Sequence, residues 1–309
     1  MKKSTLFLLA IATLVFISCS KNSSTGNGNP PATPPAIDSN YVDTVYKTET
    51  RAGITDTTEY YSFQYDAQKR LVTIKRQWGP FGQPYNEYQD QTWYYNGADT
   101  IPYKYYGVGT EGVMMTNVIY DTITVFFYYN GSSQLIKDSA AKRRRYGSTN
   151  IAKHYVSTYT HSANRVITFI KDSLLNATAP PPVAYHDIDT TNFVGQNPVS
   201  NITYSDANVN YPQFKKTGEG IAAYDAKPNP LAKLSNFRAM SPILGWGLNV
   251  LLNNSKNNLL SYTYTGTSSS STLTYSYTYL PNNYISIAVF TKSGVPGSVF
   301  SYIYKYKAP

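Results

Sequence analysis

Residues 60–78 alternate with a period of two. Tyr61, Phe63 and Tyr65 point one way, and Tyr60, Ser62 and Gln64 point the other, as a half-buried strand requires. Asp66-Ala67-Gln68-Lys69 supplies a polar turn. Val72, Ile74 and Trp78 then alternate with polar neighbours on the way back. Looser copies of this unit run from Tyr129 to Leu135, Tyr159 to Val166 and Tyr279 to Ile285. Each places an aromatic residue, a short polar turn and an aliphatic residue in that order.

The same pattern predicts strands along most of the chain. A first strand is expected at Val42–Thr50, and strands at Gln91–Tyr95 and Thr100–Tyr106 flank Asn96-Gly97, the strongest short hairpin signal. Val118–Tyr129 meets a second Asn-Gly at Asn130-Gly131 and returns through Gln134–Asp138. His154–His161 pairs with Arg165–Lys171. Leu174–Pro198, with Pro180-Pro181-Pro182 inside it, reads as an irregular excursion. A strand resumes at Asn201–Tyr204. Asn229 and Pro230 suit the cap and first turn of a short helix over 229–237, and a second helix is expected around 243–252. Tyrosines alternating with Ser and Thr over 262–306 complete an antiparallel meander. The predicted fold is therefore mainly β: a rolled or barrel-like antiparallel meander sheet with a short helical insert.

The N-terminus changes the picture. Lys2 and Lys3 precede an apolar run, Leu6–Ile17, of 12 residues, short of the ~20 that cross a bilayer as a helix. Phe16-Ile17-Ser18-Cys19 resembles a bacterial lipobox, with the chain's single cysteine at the lipidated position. Residues 1–18 are expected to be a lipoprotein signal peptide, 19–38 a Pro/Ser/Gly-rich tether, and 39–309 a single β domain. Acyl chains on Cys19 would anchor the protein in outer-membrane lipid, and Ser20 in place of aspartate fits retention there. With one cysteine there is no internal disulfide, so the fold rests on packing.

Composition supports the strand reading. The chain has 31 tyrosines among 309 residues and a net charge of +9. Tyrosine favours pleated, half-buried surfaces. The tyrosines are expected to pack in the sheet with their hydroxyls in water. Most of the positive charge is scattered, except for Lys142-Arg143-Arg144-Arg145. That block is a candidate anion patch for lipopolysaccharide phosphates or an acidic glycan, or else a solvated strand edge that discourages edge pairing.

Tyr224–Leu231 (YDAKPNPL), then Asn253-Asn254 and closing tyrosine-alternating strands, resembles Gram-negative lipoproteins grouped as a domain of unknown function with a porin-like fold. Tyr65-Asp66…Arg70-Leu71 loosely resembles a YD repeat. The resemblance implies a rolled antiparallel sheet with a small helical insert, and no activity or catalytic residues. The chain departs from that pattern at Pro281-Asn282-Asn283-Tyr284.

Other chemistry is thinly represented. Gly107-Val108-Gly109-Thr110-Glu111-Gly112 has dinucleotide-loop spacing, but a predicted strand rather than a helix follows it, so a hairpin loop is expected. His186, Asp187 and Asp189 lack the glycine and glutamate of a calcium loop. No G-x-S-x-G elbow occurs, and no catalytic, cofactor or metal residue is assigned. A glycoside hydrolase using Asp56 with Glu59, or Glu87 with Asp90, is the least favoured reading. Trp78, Tyr85, Trp93 and Tyr94 are candidate ligand contacts, since aromatic faces stack on sugar rings. The expected role is a non-catalytic envelope module for a glycan or another envelope protein, or a structural platform. The export signal argues against nucleic acid.

Overall fold

The computed structural model describes residues 41–84, 86–114, 117–146, 149–174, 184–206, 214–232, 255–294 and 298–307. Within them the chain forms sixteen antiparallel strands. They are β1 Val42–Arg51, β2 Ile54–Tyr65, β3 Leu71–Trp78, β4 Glu87–Tyr94, β5 Lys104–Met114, β6 Asn117–Tyr129, β7 Leu135–Tyr146 and β8 Thr149–Ser162. The second half contains β9 Arg165–Leu174, β10 Ala184–Val194, β11 Asn197–Asp206, β12 Lys215–Pro228, β13 Asn257–Gly266, β14 Ser270–Tyr279, β15 Ile285–Lys292 and β16 Ser298–Tyr306. Each strand pairs with its sequence neighbours, and β1 pairs with β16 to close a barrel. The predicted fold class is observed. Closure leaves no free edge. Lys307 N–H donates to the Tyr41 carbonyl at 2.9 Å, so the chain enters and leaves at one end, the proximal rim.

Some boundaries differ from expectation. The 107–112 segment is the middle of β5, not a loop. The 174–198 excursion contains β10. The basic run 142–145 lies inside β7, paired on both sides, so it is not a strand edge. At the predicted cap, Leu231 N–H donates to Asn229 Oδ1 at 2.9 Å and Ala232 N–H to the Asn229 carbonyl at 2.9 Å, which forms a turn. The rest of the 229–237 span expected to be helical, and the 243–252 span, lie outside the described residues.

Register fixes which side chains face in. One inward row reads Phe63, Ile74, Gln91, Gly107, Ile123 and Lys142 across β2 to β7. The next row outward reads Thr44, Ser62, Lys75, Asp90, Val108, Thr122 and Arg143 across β1 to β7. The inner face thus holds the core, in which Val45, Tyr61, Phe63, Trp93, Tyr105, Val125 and Leu259 are buried. Along the outward row the outer face of β2 to β7 is hydroxylated and charged in mid-strand, while Tyr120, Phe126, Ile167, Phe169, Ile221 and Ile287 are exposed elsewhere on the outside. The outer band of a bilayer-spanning barrel is apolar, and a Lys or Arg at its midplane costs about 2–4 kcal/mol.

Candidate functional site

The proximal rim repeats one device. At the end of β2, Tyr65 donates its hydroxyl to the Val42 carbonyl at 3.1 Å, at the start of β1. Tyr95 does so to Leu71 at 2.8 Å, Tyr129 to Pro102 at 2.9 Å, Tyr224 to Pro198 at 2.7 Å and Tyr306 to Ile285 at 2.7 Å. Tyr277 donates to the Leu259 carbonyl, and His161 Nε2 lies 2.6 Å from the Leu135 carbonyl. A carbonyl only accepts, so Nε2 carries the proton. Each bond closes the open mouth of a hairpin whose two strands are joined at the opposite, distal rim. The hydroxyls expected in water are therefore spent on backbone. Burial pushes the Tyr95 hydroxyl up to about 12 and raises Tyr65, Tyr129, Tyr224 and Tyr306 further. Tyr129→Phe should cost about 1 kcal/mol, with β5–β6 opening first in amide exchange at the proximal rim.

The turns between these clamps share a geometry. Asp66, Asn130 and Leu280 N–H groups donate to the carbonyls of Arg70, Gln134 and Tyr284, at 3.0, 2.9 and 2.8 Å. Lys69, Ser133 and Asn283 take φ of 63°, 59° and 65°. Asp66 and Asn130 side chains accept the Arg70 and Gln134 N–H groups at 2.9 Å, the local reason for the YD-like pattern.

The YDAKPNPL stretch closes the base of the segment between β12 and β13. Asp225 Oδ1 accepts Lys227 N–H at 2.9 Å and Asn258 N–H at 3.1 Å, and Oδ2 accepts Asn258 Nδ2 at 3.1 Å and the Tyr279 hydroxyl. Lys227 Nζ sits 3.6 Å above the Tyr279 ring. Asn229 Nδ2 donates to the Ser255 carbonyl at 3.1 Å. Buried polar groups need this satisfaction, so the motif's role here is architectural. Asn253 and Asn254 lie outside the described residues.

Towards the distal rim the inner face carries ion pairs. Glu59 accepts from Lys47 at 2.6 Å, from Arg76 at 2.9 Å and from the Tyr61 hydroxyl. Burial alone would raise the Glu59 carboxyl, but the charges of Lys47 and Arg76 and the bonds from Lys47 and Tyr61 hold it below the ordinary carboxylate range. A carboxyl lowered in the folded state stabilises above its unfolded value, about 4.3, and that contribution is lost as pH falls through the folded value. Glu59→Gln should therefore flatten the acid limb of the stability profile, measured as urea midpoint against pH.

The basic run divides by alternation. Lys142 and Arg144 point in and meet Asp121 at 3.4 and 2.7 Å, where the Asp121 side chain is 1% exposed. Arg143 and Arg145 are exposed on the outer face. The four residues do not form one patch. Nor do the aromatic candidates form one platform. Trp93 is buried edge-on to Tyr105, with centroids 5.2 Å apart. Tyr94 is outside, with Lys104 Nζ 4.8 Å above it. Trp78 stacks under Arg76 at 4.1 Å near the distal rim, and Tyr85 lies outside the described residues. His186 stacks on Phe169 outside, at 5.4 Å, while register places Asp187 and Asp189 inside beside Ile170 and Thr168. Glu87 faces in and Asp90 out, and Asp56 accepts Gly82 N–H at 2.6 Å. Among the described residues no three His, Cys, Asp or Glu gather as a metal site.

Sequence reasoning overlooked the proximal cavity of about 570 Å³, which opens among the β4–β5, β6–β7, β8–β9 and β10–β11 turns. Its lining includes Gln134, Leu135, His161, Arg165, Val166 and Phe193.

No family model matches the chain, and no curated protein matches it. Among solved structures the chain is similar to a porin-like protein from Bacteroides vulgatus, at 12% identity and a TM-score of 0.49, over 88% of this chain and 100% of that one. It is also similar to a porin-like protein from Bacteroides uniformis, at 10% identity and a TM-score of 0.43, over 86% of this chain and 98% of that one.

Proposed function

We propose that this chain is a non-catalytic envelope lipoprotein. Its barrel stands in water, held to the outer membrane by acylated Cys19, and serves as a binding module with glycan as the ligand class. The observation that carries the reading is the outer face of β2 to β7, where Lys75, Asp90 and Arg143 occupy one mid-strand row with Ser62 and Thr122. That surface suits water and not acyl chains. Fractionation of cells carrying Cys19→Ala tests it. The variant is expected in the soluble fraction, folded and protease-resistant. Retention in membranes through a carbonate wash would mean that the strands themselves hold the bilayer.

A second reading, a platform for other envelope proteins, draws on an outward aromatic strip. Lys104 lies 4.8 Å from the Tyr94 ring and 5.8 Å from the Phe126 ring, and Lys137 lies 5.5 Å from Tyr128. Photo-cross-linking from Phe126 in intact cells separates the readings: a discrete protein adduct supports the platform, and none favours the glycan module.

A further inference from the structure

The proximal clamps change character on two successive hairpins, and the cavity lies beside them. Hairpins β1–β2, β3–β4, β5–β6, β11–β12, β13–β14 and β15–β16 are each closed by a tyrosine hydroxyl. On β7–β8 the donor is His161, with a smaller ring. On β9–β10 the position belongs to Phe193, which has no hydroxyl, and backbone takes over, with Phe193 N–H donating to the Asn164 carbonyl at 2.8 Å. Here about 570 Å³ stays open among the turns, within the size range of small-molecule sites.

Register decides which lining groups face this space. His161 pairs with the buried Val166, and Val166 with Thr191, on the inward row. Ser162 pairs with Arg165 and Arg165 with Asn192, one position along, so these three are turned to the outer face. There Arg165 Nε donates to Asn192 Oδ1 at 3.0 Å. The described lining holds no Asp, Glu or Lys. No carboxylate, ammonium or guanidinium among these residues therefore faces the cavity.

What does face it is apolar or neutral and polar. Leu135 and Val166 are core residues, 7% and 8% exposed, and with the half-buried Phe193 they make a floor with one aromatic ring. His161 spends Nε2 on the Leu135 carbonyl, and its Nδ1, an acceptor in the neutral ring, has no partner among the described residues. Gln134 Oε1 accepts from Asn130 Nδ2 at 2.9 Å, which leaves the Gln134 Nε2 as a donor. The Ser133 hydroxyl and the Gln196 amide bond to no other described residue. An apolar floor accepts the C–H face of a pyranose ring. Neutral groups that donate and accept around it match sugar hydroxyls. A charged ligand would lose water here without gaining a counter-charge.

We infer that this proximal cavity binds a short neutral saccharide. The inference rests on the reading of the barrel as a binding module and assigns that module's site and ligand class. None of the aromatic residues singled out from the sequence takes part.

The test is calorimetric titration of the full chain in detergent micelles with cellobiose, maltose, lactose and chitobiose, and with digalacturonate and cyclohexanol as charged and apolar controls. At least one neutral disaccharide is expected to bind, with both controls about tenfold or more weaker. His161→Tyr combined with Phe193→Tyr completes the tyrosine series and enlarges both side chains. It should abolish binding with a melting temperature unchanged or higher. Should that variant melt early, Gln196→Trp, at an exposed turn position, blocks the cavity without touching a clamp. No heat with any of the four disaccharides, a control that binds as well as the best of them, or binding that survives both blocks would overturn the assignment. If Cys19→Ala protein is nonetheless soluble and folded, only the saccharide site fails; if it stays in membranes, the module reading fails first.

Discussion

Replacing Lys142 and Arg144 together by methionine is expected to destabilise the barrel by about 3–5 kcal/mol. Both cations meet Asp121, whose carboxylate is essentially out of contact with water. Removing them keeps the buried negative charge and takes away the charges that compensate it. Adding Asp121→Asn to the same chain should recover most of the loss, because a group neutralised as a whole no longer strands a charge. Arg143→Gln with Arg145→Gln removes the same formal charge from the outer face and should change stability by less than about 0.5 kcal/mol. Urea midpoints followed by tyrosine and tryptophan fluorescence check all three. Equal losses from the inner and outer pairs would show that the run acts as one charged patch and not as two faces of β7.

Trp93→Ala should cost about 3–5 kcal/mol. The indole is 4% exposed and packs against Tyr105, so truncation opens a cavity in the core. Tyr94→Ala, one residue on and 37% exposed, should fall within about 0.5 kcal/mol. Thermal melts of the two variants give the comparison. A mild Trp93→Ala that instead weakens saccharide binding would return this residue to the ligand site.

The contrast between these neighbours shows what was legible in the sequence. Period-two alternation located β2, β3, β6 and the strands from β13 to β16, because there aromatic or large apolar residues recur at every second position and most of them face in; on β15, Ile287 and Val289 face out opposite Thr278 and Ser276. It missed β12, whose inward positions include Gly218 and Gly220. A Cβ there would come within 2.5 Å of the Tyr264 hydroxyl and 2.3 Å of the Tyr262 hydroxyl. The neighbouring strand's rings fill the face that the glycines leave bare, so the hydrophobic signal sits on the wrong strand. Gly109 in β5 is similar: a Cβ would lie 2.5 Å from the Tyr88 carbonyl, which accounts for part of the dinucleotide-like spacing without a phosphate. β10 was hidden because Asp187, Asp189 and Thr191 face in, leaving no apolar alternation.

The candidate site was less legible still. Alternation splits Lys142–Arg145 and separates Trp93 from Tyr94, so adjacency in sequence meant opposite faces. The clamps join residues 18 to 27 apart, such as Leu259 with Tyr277 and Pro102 with Tyr129. Only the recurrence of tyrosine before each polar turn hinted at them. The cavity owes its position to what replaces tyrosine at 161 and 193, and a missing hydroxyl becomes visible only once the series around it is known.

Water at the outer wall of the barrel underlies the whole account. Single cysteines at Thr92, Thr124 and Ser301 in a Cys19→Ser chain, labelled with a polarity-sensitive fluorophore and mixed with phospholipid vesicles, probe that wall at mid-strand. All three labels should emit as in water, with no quenching by lipid-borne quenchers. A blue-shifted, lipid-quenched band shared by the three positions would place the wall against acyl chains and contradict the account.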